Sequence, residues 1–131
     1  MSEIEWCKKL GWTNEQLEDL RYAGYSYLRQ GKYDIAISFY EALVVLDSKN
    51  AYDAQTLGAL YLQMKEPIKA LKWLDCAIKL EDKHAPTLLN MSKAFLMLNK
   101  KEEALKIAAI LKENPDHSIA NSARALILAY S

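Results

Sequence analysis

Residues 51–84 read AYDAQTLGALYLQMKEPIKALKWLDCAIKLEDKH, and this stretch decides the fold because close relatives of it occur on both sides. A shift of 34 positions aligns small and aromatic residues in three columns, which are Gly24 with Gly58, Tyr27 with Tyr61 and Phe95, and Ala36 with Ala70 and Ala104. A fixed period of about 20 to 50 residues indicates stacked copies of one supersecondary unit. The sequence therefore predicts three units, at residues 17–50, 51–84 and 85–118.

Turn and capping signals divide each unit into two helices. Thr13 and Gln16 form a T-x-x-Q capping box at the start of the first long helix, and residues 30–32, 65–67 and 99–101 carry turn residues inside the units. The predicted helices cover residues 2–10, 15–30, 33–46, 51–64, 67–80, 86–98, 101–113 and 119–130. The chain is thus expected to be all-α.

The period and one short pattern resemble the tetratricopeptide repeat (TPR). The pattern is L-G-x-x-Y at Leu57 to Tyr61, followed by Ala70 and Ala77. The resemblance implies one domain over residues 1–131, with three tandem helix-turn-helix repeats in a right-handed superhelix. Residues 1–16 would form an N-terminal helix and cap, and residues 119–131 a C-terminal solvating helix.

The glycines of the first helices support this architecture on physical grounds. A glycine inside a helix costs about 1 kcal/mol relative to alanine, so Gly24 and Gly58 need a compensating reason. Close approach of the second helix supplies that reason, and the small residues Ala36, Ala70 and Ala104 near the start of each second helix fit it. We therefore expect Gly58 to face the second helix of its own repeat.

Composition excludes several classes of function. Lys plus Arg and Asp plus Glu both number 17, so no positive excess favours nucleic acid or an anionic membrane as the main partner. The apolar runs are far shorter than the roughly 20 residues needed to span a bilayer. The N-terminus lacks a basic stretch followed by an apolar run, so no secretory signal is predicted and the cytoplasm is the expected location.

Residues that could carry chemistry are few. Cys7 and Cys76 are far apart in the sequence and have no neighbouring ligand pair. This spacing fits reduced structural thiols better than a disulfide framework or a zinc site. His84 and His117 fall in turns between repeats without a second ligand at metal spacing. Phosphate-loop, dinucleotide and nucleophile-elbow patterns are missing from the sequence. We expect a protein that is not an enzyme and has no cofactor or metal.

The resemblance to TPR proteins places a binding groove on the first helix of each repeat, along the concave wall of the superhelix. The matching side chains are aromatic and apolar with a few hydrogen-bonding groups, and tyrosine is typical of interface anchors. Leu28, Leu62 and Leu96 have an alternative interpretation as ordinary core. The predicted groove consists of Arg21, Tyr22, Tyr25, Leu28, Tyr52, Gln55, Thr56, Ala59, Leu62, Leu89, Asn90, Lys93, Leu96 and Met97.

A narrower resemblance lies in the first repeat. Residues 27–36, YLRQGKYDIA, followed by Phe39, Leu43 and Asp47, resemble the class II chaperones of bacterial type III secretion, the SycD/LcrH-like proteins. That resemblance implies a cytoplasmic bacterial chaperone, associated with virulence, that binds an extended or amphipathic client segment in its groove. The client would be a hydrophobic translocator subunit, kept soluble and unassembled, or a needle-type subunit in a close variant.

Two alternatives stay open at this point. A general TPR scaffold that binds a chaperone C-terminal carboxylate needs Lys, Asn and Arg at defined groove positions, where this chain has Tyr25, Pro86 and Asn90. The repeats could also serve as an assembly subunit of another protein complex.

Both ends of the chain carry apolar side chains that lie outside the three repeats. Ile4, Trp6, Leu10 and Trp12 precede the capping box, and exposed tryptophans often mark contacts. We expect this segment either to mediate a homodimer or to pack on the first repeat. The last helix, which contains Leu128, would either cap the third repeat or bind a partner.

Overall fold

The computed structural model describes residues 6–131, and these residues form eight α-helices. The helices are α1 (Trp6–Lys9), α2 (Asn14–Arg29), α3 (Tyr33–Leu46), α4 (Ala51–Gln63), α5 (Pro67–Leu80), α6 (Ala85–Met97), α7 (Lys101–Leu111) and α8 (His117–Tyr130). The predicted helices agree with α2 to α8 within two residues at each end. The predicted helix at residues 2–10 overlaps residues 1–5, which lie outside the described part of the chain.

The helices stack in the order of the sequence. Helices α2 and α3, α4 and α5, and α6 and α7 pack as pairs, and each second helix also contacts the first helix of the next pair. Among first helices, α6 contacts both α4 and α8, whereas the backbones of α2 and α4 stay apart. The result is the TPR fold, with a gap between α2 and α4, which are the first helices of repeats one and two.

Within each pair the helices approach closely at the predicted small residues. A Cβ atom added at Gly58 would lie 2.6 Å from Cγ of Leu74 on α5, and one added at Gly24 would lie 3.0 Å from Cβ of Phe39 on α3. Both glycines therefore face the second helix, as predicted. The third repeat has Ser92 at this position, and its buried hydroxyl donates a 2.8 Å hydrogen bond to the Ala104 carbonyl. That bond satisfies the one polar group that replaces glycine.

The turns inside the three repeats share one backbone geometry. Gly31, Lys65 and Asn99 occupy equivalent positions and all have φ between 60° and 75°. Each donates its amide to a carbonyl three residues earlier, and the following amide bonds the carbonyl five residues before it. This is the Schellman arrangement, in which glycine or asparagine is favoured because the left-handed conformation is strained for other residues. Lys65 is the residue in which that strain is expected.

Two apolar clusters hold the stack together. The first joins the first two repeats around Tyr40, Leu43 and Leu74, and Trp12 packs against it. The second joins α6, α7 and α8 through Leu89 and Ile119. Helix α2 begins at the predicted capping box, since the Gln16 amide donates to Thr13 Oγ1 at 3.1 Å and the Thr13 amide donates to Gln16 Oε1 at 2.9 Å.

The ends of the described chain differ in how far they are packed. Ile119 and Ala123 of α8 are buried in the second cluster, so one face of this helix covers the third repeat. Leu128, on its other side, is 83% exposed. Leu10 is also exposed, while Ile4 and the side chain of Trp6 lie outside the described residues.

Candidate peptide-binding groove

The groove side of the first helices carries a row of exposed aromatic residues. Tyr22 is 75% exposed, and Tyr25 and Tyr52 are 42% and 49% exposed. Single exposed apolar side chains are normal on a protein surface, but several aromatic rings close together form a patch that could bury a large area against a partner. Their presence on α2 and α4 marks the wall between these two helices as the part of the groove best suited to a partner.

The gap between α2 and α4 forms an open cleft. Its volume is about 400 Å³, and its lining consists of Glu18, Arg21, Tyr22, Tyr25, Asn50 and Tyr52. Four of the predicted groove residues therefore meet in one place. We call this feature the tyrosine cleft.

An ion network forms the base of the tyrosine cleft. Arg21 donates from Nε and Nη2 to the two carboxylate oxygens of Asp53, each at 2.7 Å, and from Nη2 to Asp47 Oδ2 at 2.7 Å. Its Nη1 atom is paired with Glu18. Asp53 is fully buried, so the pair crosses the gap between α2 and α4 as a bidentate, charge-assisted contact.

The electrostatics of the network follow from burial and pairing. Hydrogen bonding to Asp53 raises the pKa of the Arg21 guanidinium above its usual value. Burial raises the pKa of Asp53, and the Arg21 guanidinium opposes that rise. Arg21 was predicted as a contact for a client. In the structure its guanidinium makes four bonds to Asp53, Asp47 and Glu18, and these bonds join α2 to α4 while Arg21 still lines the cleft.

A buried tyrosine lies next to this network. Tyr40 is completely buried in the first cluster, and its hydroxyl has no hydrogen-bond partner among the described residues. Burial raises the pKa of its phenol, and the nearby Tyr52 contributes to that rise. Tyr52 therefore lies near this buried hydroxyl and, being 49% exposed, also lines the tyrosine cleft.

A second and smaller pocket continues the groove toward α6. It has a volume of about 80 Å³ and is lined by Ala51, Tyr52, Gln55, Ala77, Glu81, His84 and Thr87. The ring Nδ1 of His84 lies 2.7 Å from the buried Thr87 hydroxyl at the start of α6. Tyr52 borders both depressions, so it is the central side chain of the described groove.

The other predicted groove residues differ in how much surface they offer. Lys93 and Met97 are exposed, and Gln55, Ala59, Asn90 and Leu96 are half-buried. Neither depression is lined by a predicted residue of α6.

Four predicted residues contribute less than expected because their side chains are used for packing. Thr56 and Leu89 are buried, and Leu89 belongs to the cluster with α7 and α8. Leu28 and Leu62 are half-buried and pack against the first cluster. For these two leucines, the alternative interpretation as core is the one that the structure favours, and a polar substitution at Leu62 will affect folding as well as binding.

The acidic partners of Arg21 were not predicted from the sequence. Asp53 follows the cap residue Asn50 in the first turn of α4, where a carboxylate is favourable because of the helix dipole. Because this local role already explains a carboxylate at the position, the sequence gives no sign that Asp53 is buried or that it contacts Arg21 on another helix. Asn50 itself accepts a 2.9 Å hydrogen bond from the Asp53 amide.

Within the described residues no three His, Cys, Asp or Glu side chains are grouped so as to hold a metal ion. None of the helices described combines the length and apolar character that crossing a membrane requires.

The stacked helix pairs and the exposed tyrosines of the first helices define a TPR protein with an aromatic groove face. A family model described as "Anaphase-promoting complex, cyclosome, subunit 3" matches residues 29–109, which is more than half of the chain. The chain belongs to this TPR-type family. A comparison with curated proteins found no match.

Similar solved structures include both bacterial and other TPR proteins. PcrH of Pseudomonas aeruginosa, in complex with the chaperone binding region of PopD, is 23% identical with a TM-score of 0.83, over 92% of this chain and 94% of PcrH. The type III secretion translocator chaperone SycD of Yersinia enterocolitica is 17% identical with a TM-score of 0.82, over 98% and 99%. The first TPR of Spaghetti (RPAP3), bound to the HSP90 peptide SRMEEVD, is 25% identical with a TM-score of 0.78, over 89% and 94%.

Proposed function

We propose that this chain is a bacterial TPR chaperone that holds a hydrophobic client of type III secretion in its concave groove. By covering an extended or amphipathic segment of a translocator or needle-type subunit, it keeps that subunit from assembling too early. The proposal places the protein in the cytoplasm and gives it no catalytic role.

The observation that carries the proposal is the row of exposed tyrosines between α2 and α4. Tyr22, Tyr25 and Tyr52 surround an open cleft of about 400 Å³ on the groove side. Aromatic side chains in a concave site supply a large contact area at low entropic cost, as interface anchors do. The similarity to PcrH, whose solved complex contains the chaperone binding region of PopD, supports a peptide as the ligand.

A dimer is a further part of the proposal. Leu10 is exposed next to α1, and an apolar N-terminal segment that is not fully packed can bind a second copy. Light scattering of the full chain and of a variant without residues 1–12 tests this. If the deletion changes neither the oligomeric state nor the melting temperature, the segment has no role in assembly.

The second candidate function is a general TPR scaffold. The RPAP3 repeat with its HSP90 peptide is 25% identical to this chain and favours that candidate. Against it, Tyr25, Pro86 and Asn90 occupy positions at which a clamp for a C-terminal carboxylate needs asparagine or basic residues. We therefore expect the peptide SRMEEVD to bind weakly or not at all.

Calorimetric titration of the purified full chain separates the two functions. The probes are the chaperone binding region of PopD, the YopD translocator peptide of the SycD complex and the peptide SRMEEVD. Binding of either secretion probe, with loss of affinity in the Tyr52→Ala variant, supports the chaperone function. Binding of SRMEEVD alone would support the scaffold instead.

A further inference from the structure

The tyrosine cleft has an electrostatic character that its aromatic lining alone does not reveal. Around Arg21 lie the three carboxylates of Glu18, Asp47 and Asp53. One guanidinium against three ionised carboxylates leaves a formal excess of two negative charges. Part of this charge is accessible: Glu18 lines the cleft with a side chain that is 71% exposed, whereas Asp47, 34% exposed, and the buried Asp53 pair with Arg21 from outside the lining.

The aromatic rings of the cleft are available to a cation. The guanidinium of Arg29 lies 6.0 Å from the centre of the Tyr25 ring, at the distance of a cation–π contact. Among the described residues, no cation lies over the rings of Tyr22 or Tyr52. These two rings line a cleft beside the exposed carboxylate of Glu18, and the Arg21 guanidinium in the same lining is paired with three carboxylates. The free rings and the unbalanced carboxylates both favour a positively charged group.

We propose that the tyrosine cleft binds a lysine or arginine side chain of the client, between the rings of Tyr22 and Tyr52 and near the carboxylates of Glu18 and Asp47. The inference rests on the proposed function, and it adds a charged anchor to a groove that is otherwise apolar. An apolar client segment with a cationic residue at one end would then be fixed in register, because only that end matches the negative cleft.

A selection from random peptides tests the inference without a known client. A library of 12-residue peptides displayed on phage is selected on the immobilised full chain, and the binding peptides are sequenced. We expect lysine or arginine at one fixed position relative to the apolar residues. The best arginine-containing peptide is then synthesised with arginine and with citrulline, which keeps the shape of arginine but is neutral.

The expected result is that the parent protein binds the arginine peptide about tenfold more tightly than the citrulline peptide. In Tyr22→Leu and Glu18→Gln this preference should fall to about threefold or less, whereas the control Tyr130→Leu should keep it. Tyr22 and Glu18 are both exposed, so neither substitution is expected to unfold the protein.

The contrary outcomes separate this inference from the proposed function. Peptides that bind without a preferred cation, or an arginine preference that Tyr22→Leu and Glu18→Gln leave unchanged, would overturn the cationic site alone. A selection that yields no binding peptide would overturn the peptide-binding function and, with it, this inference.

Discussion

Replacing Arg21 by alanine is expected to destabilise the protein more than any other change to the groove wall. The substitution removes a guanidinium that makes two 2.7 Å bonds to Asp53, a carboxylate with no exposed surface. Leaving one member of a buried pair without its partner typically costs about 3 to 5 kcal/mol. We expect Arg21→Ala to lose about that much unfolding free energy, which is a large part of the stability of a typical domain.

Replacing Asp53 should cost less unfolding free energy than replacing Arg21, because Arg21 keeps other acidic partners. In Asp53→Asn the guanidinium still has Asp47 and Glu18, both of which are partly exposed. We expect a loss of about 1 to 2 kcal/mol for this variant. The double variant should lose less than the sum of the single losses, and the difference measures the coupling between Arg21 and Asp53.

Urea unfolding followed by far-ultraviolet circular dichroism measures these quantities, since urea does not screen charges. Lys106→Ala is the control, because Lys106 and Glu102 form an exposed pair 3.9 Å apart on α7 and such pairs contribute little. If Arg21→Ala costs no more than Lys106→Ala, or if the coupling in the double variant is near zero, the proposed role of the ion network is wrong.

The same variant has a predicted pH dependence. Burial raises the pKa of Asp53, and the Arg21 guanidinium opposes that rise. In Arg21→Ala this opposing charge is gone, so the pKa of Asp53 should rise further. A folded-state pKa above the unfolded value stabilises at low pH and loses this contribution as the pH rises. The stability deficit of Arg21→Ala relative to the parent should therefore shrink as the pH is lowered from 7 to 5.

Three further predictions concern packing, turn geometry and alkaline stability. Gly58→Leu should cost about 3 kcal/mol or more in thermal unfolding, because even a Cβ at this site would lie 2.6 Å from a leucine of α5; an unchanged melting temperature would contradict the packing described. Lys65→Gly should stabilise by up to about 1 kcal/mol in urea unfolding, since φ of Lys65 is 62°, whereas the mid-helix control Lys106→Gly should destabilise by about 1 kcal/mol. Burial and the hydrogen bond to Glu41 raise the pKa of Tyr61 to about 12, so stability present below pH 10 should fall between pH 10 and 12. Tyr61→Phe should show a smaller fall over that interval, and an unchanged pH profile would refute the assignment.

Most of the architecture follows from short-range signals in the sequence. Gly58 and Ala70 identify a close helix contact, because glycine is costly inside a helix unless another helix comes near. Thr13 and Gln16 mark a helix start through their own hydrogen-bonding chemistry. Such features depend on neighbours a few residues away or on the repeat itself, and the period of the repeat converts local signals into a complete stack.

The groove could be predicted only in part, because exposure depends on contacts between repeats. Arg21, Gln55 and Leu89 occupy equivalent positions of the three repeats, and a periodic argument gives them one role. In the structure Leu89 is buried against the last two helices, whereas Arg21 is bound to acidic side chains. The irregular spacing of the first helices, with α2 and α4 apart, creates the tyrosine cleft.

The tyrosines were easier to predict than the ion network beneath them. Tyr22 and Tyr52 have the size and polarity of interface anchors in any context. The carboxylate of Asp53, by contrast, has the composition of a surface residue, and its partner lies on another helix. Long-range pairing of this kind has no periodic signature in a single sequence.

The proposed function requires that Tyr52 contributes to peptide binding and that its removal leaves the fold intact. The decisive measurement is the dissociation constant, by fluorescence anisotropy, for whichever of the PopD region and the YopD peptide binds the parent protein more tightly. The melting temperature of each variant is determined in parallel. Tyr52 borders both depressions and is 49% exposed, so Tyr52→Ala should weaken binding about 30-fold, or about 2 kcal/mol, with little change in melting temperature. Ile110→Ala, a control at an exposed residue of α7, should bind as the parent does. A parent protein that binds neither secretion probe, or a Tyr52→Ala variant that binds its probe unchanged, would contradict the proposed function.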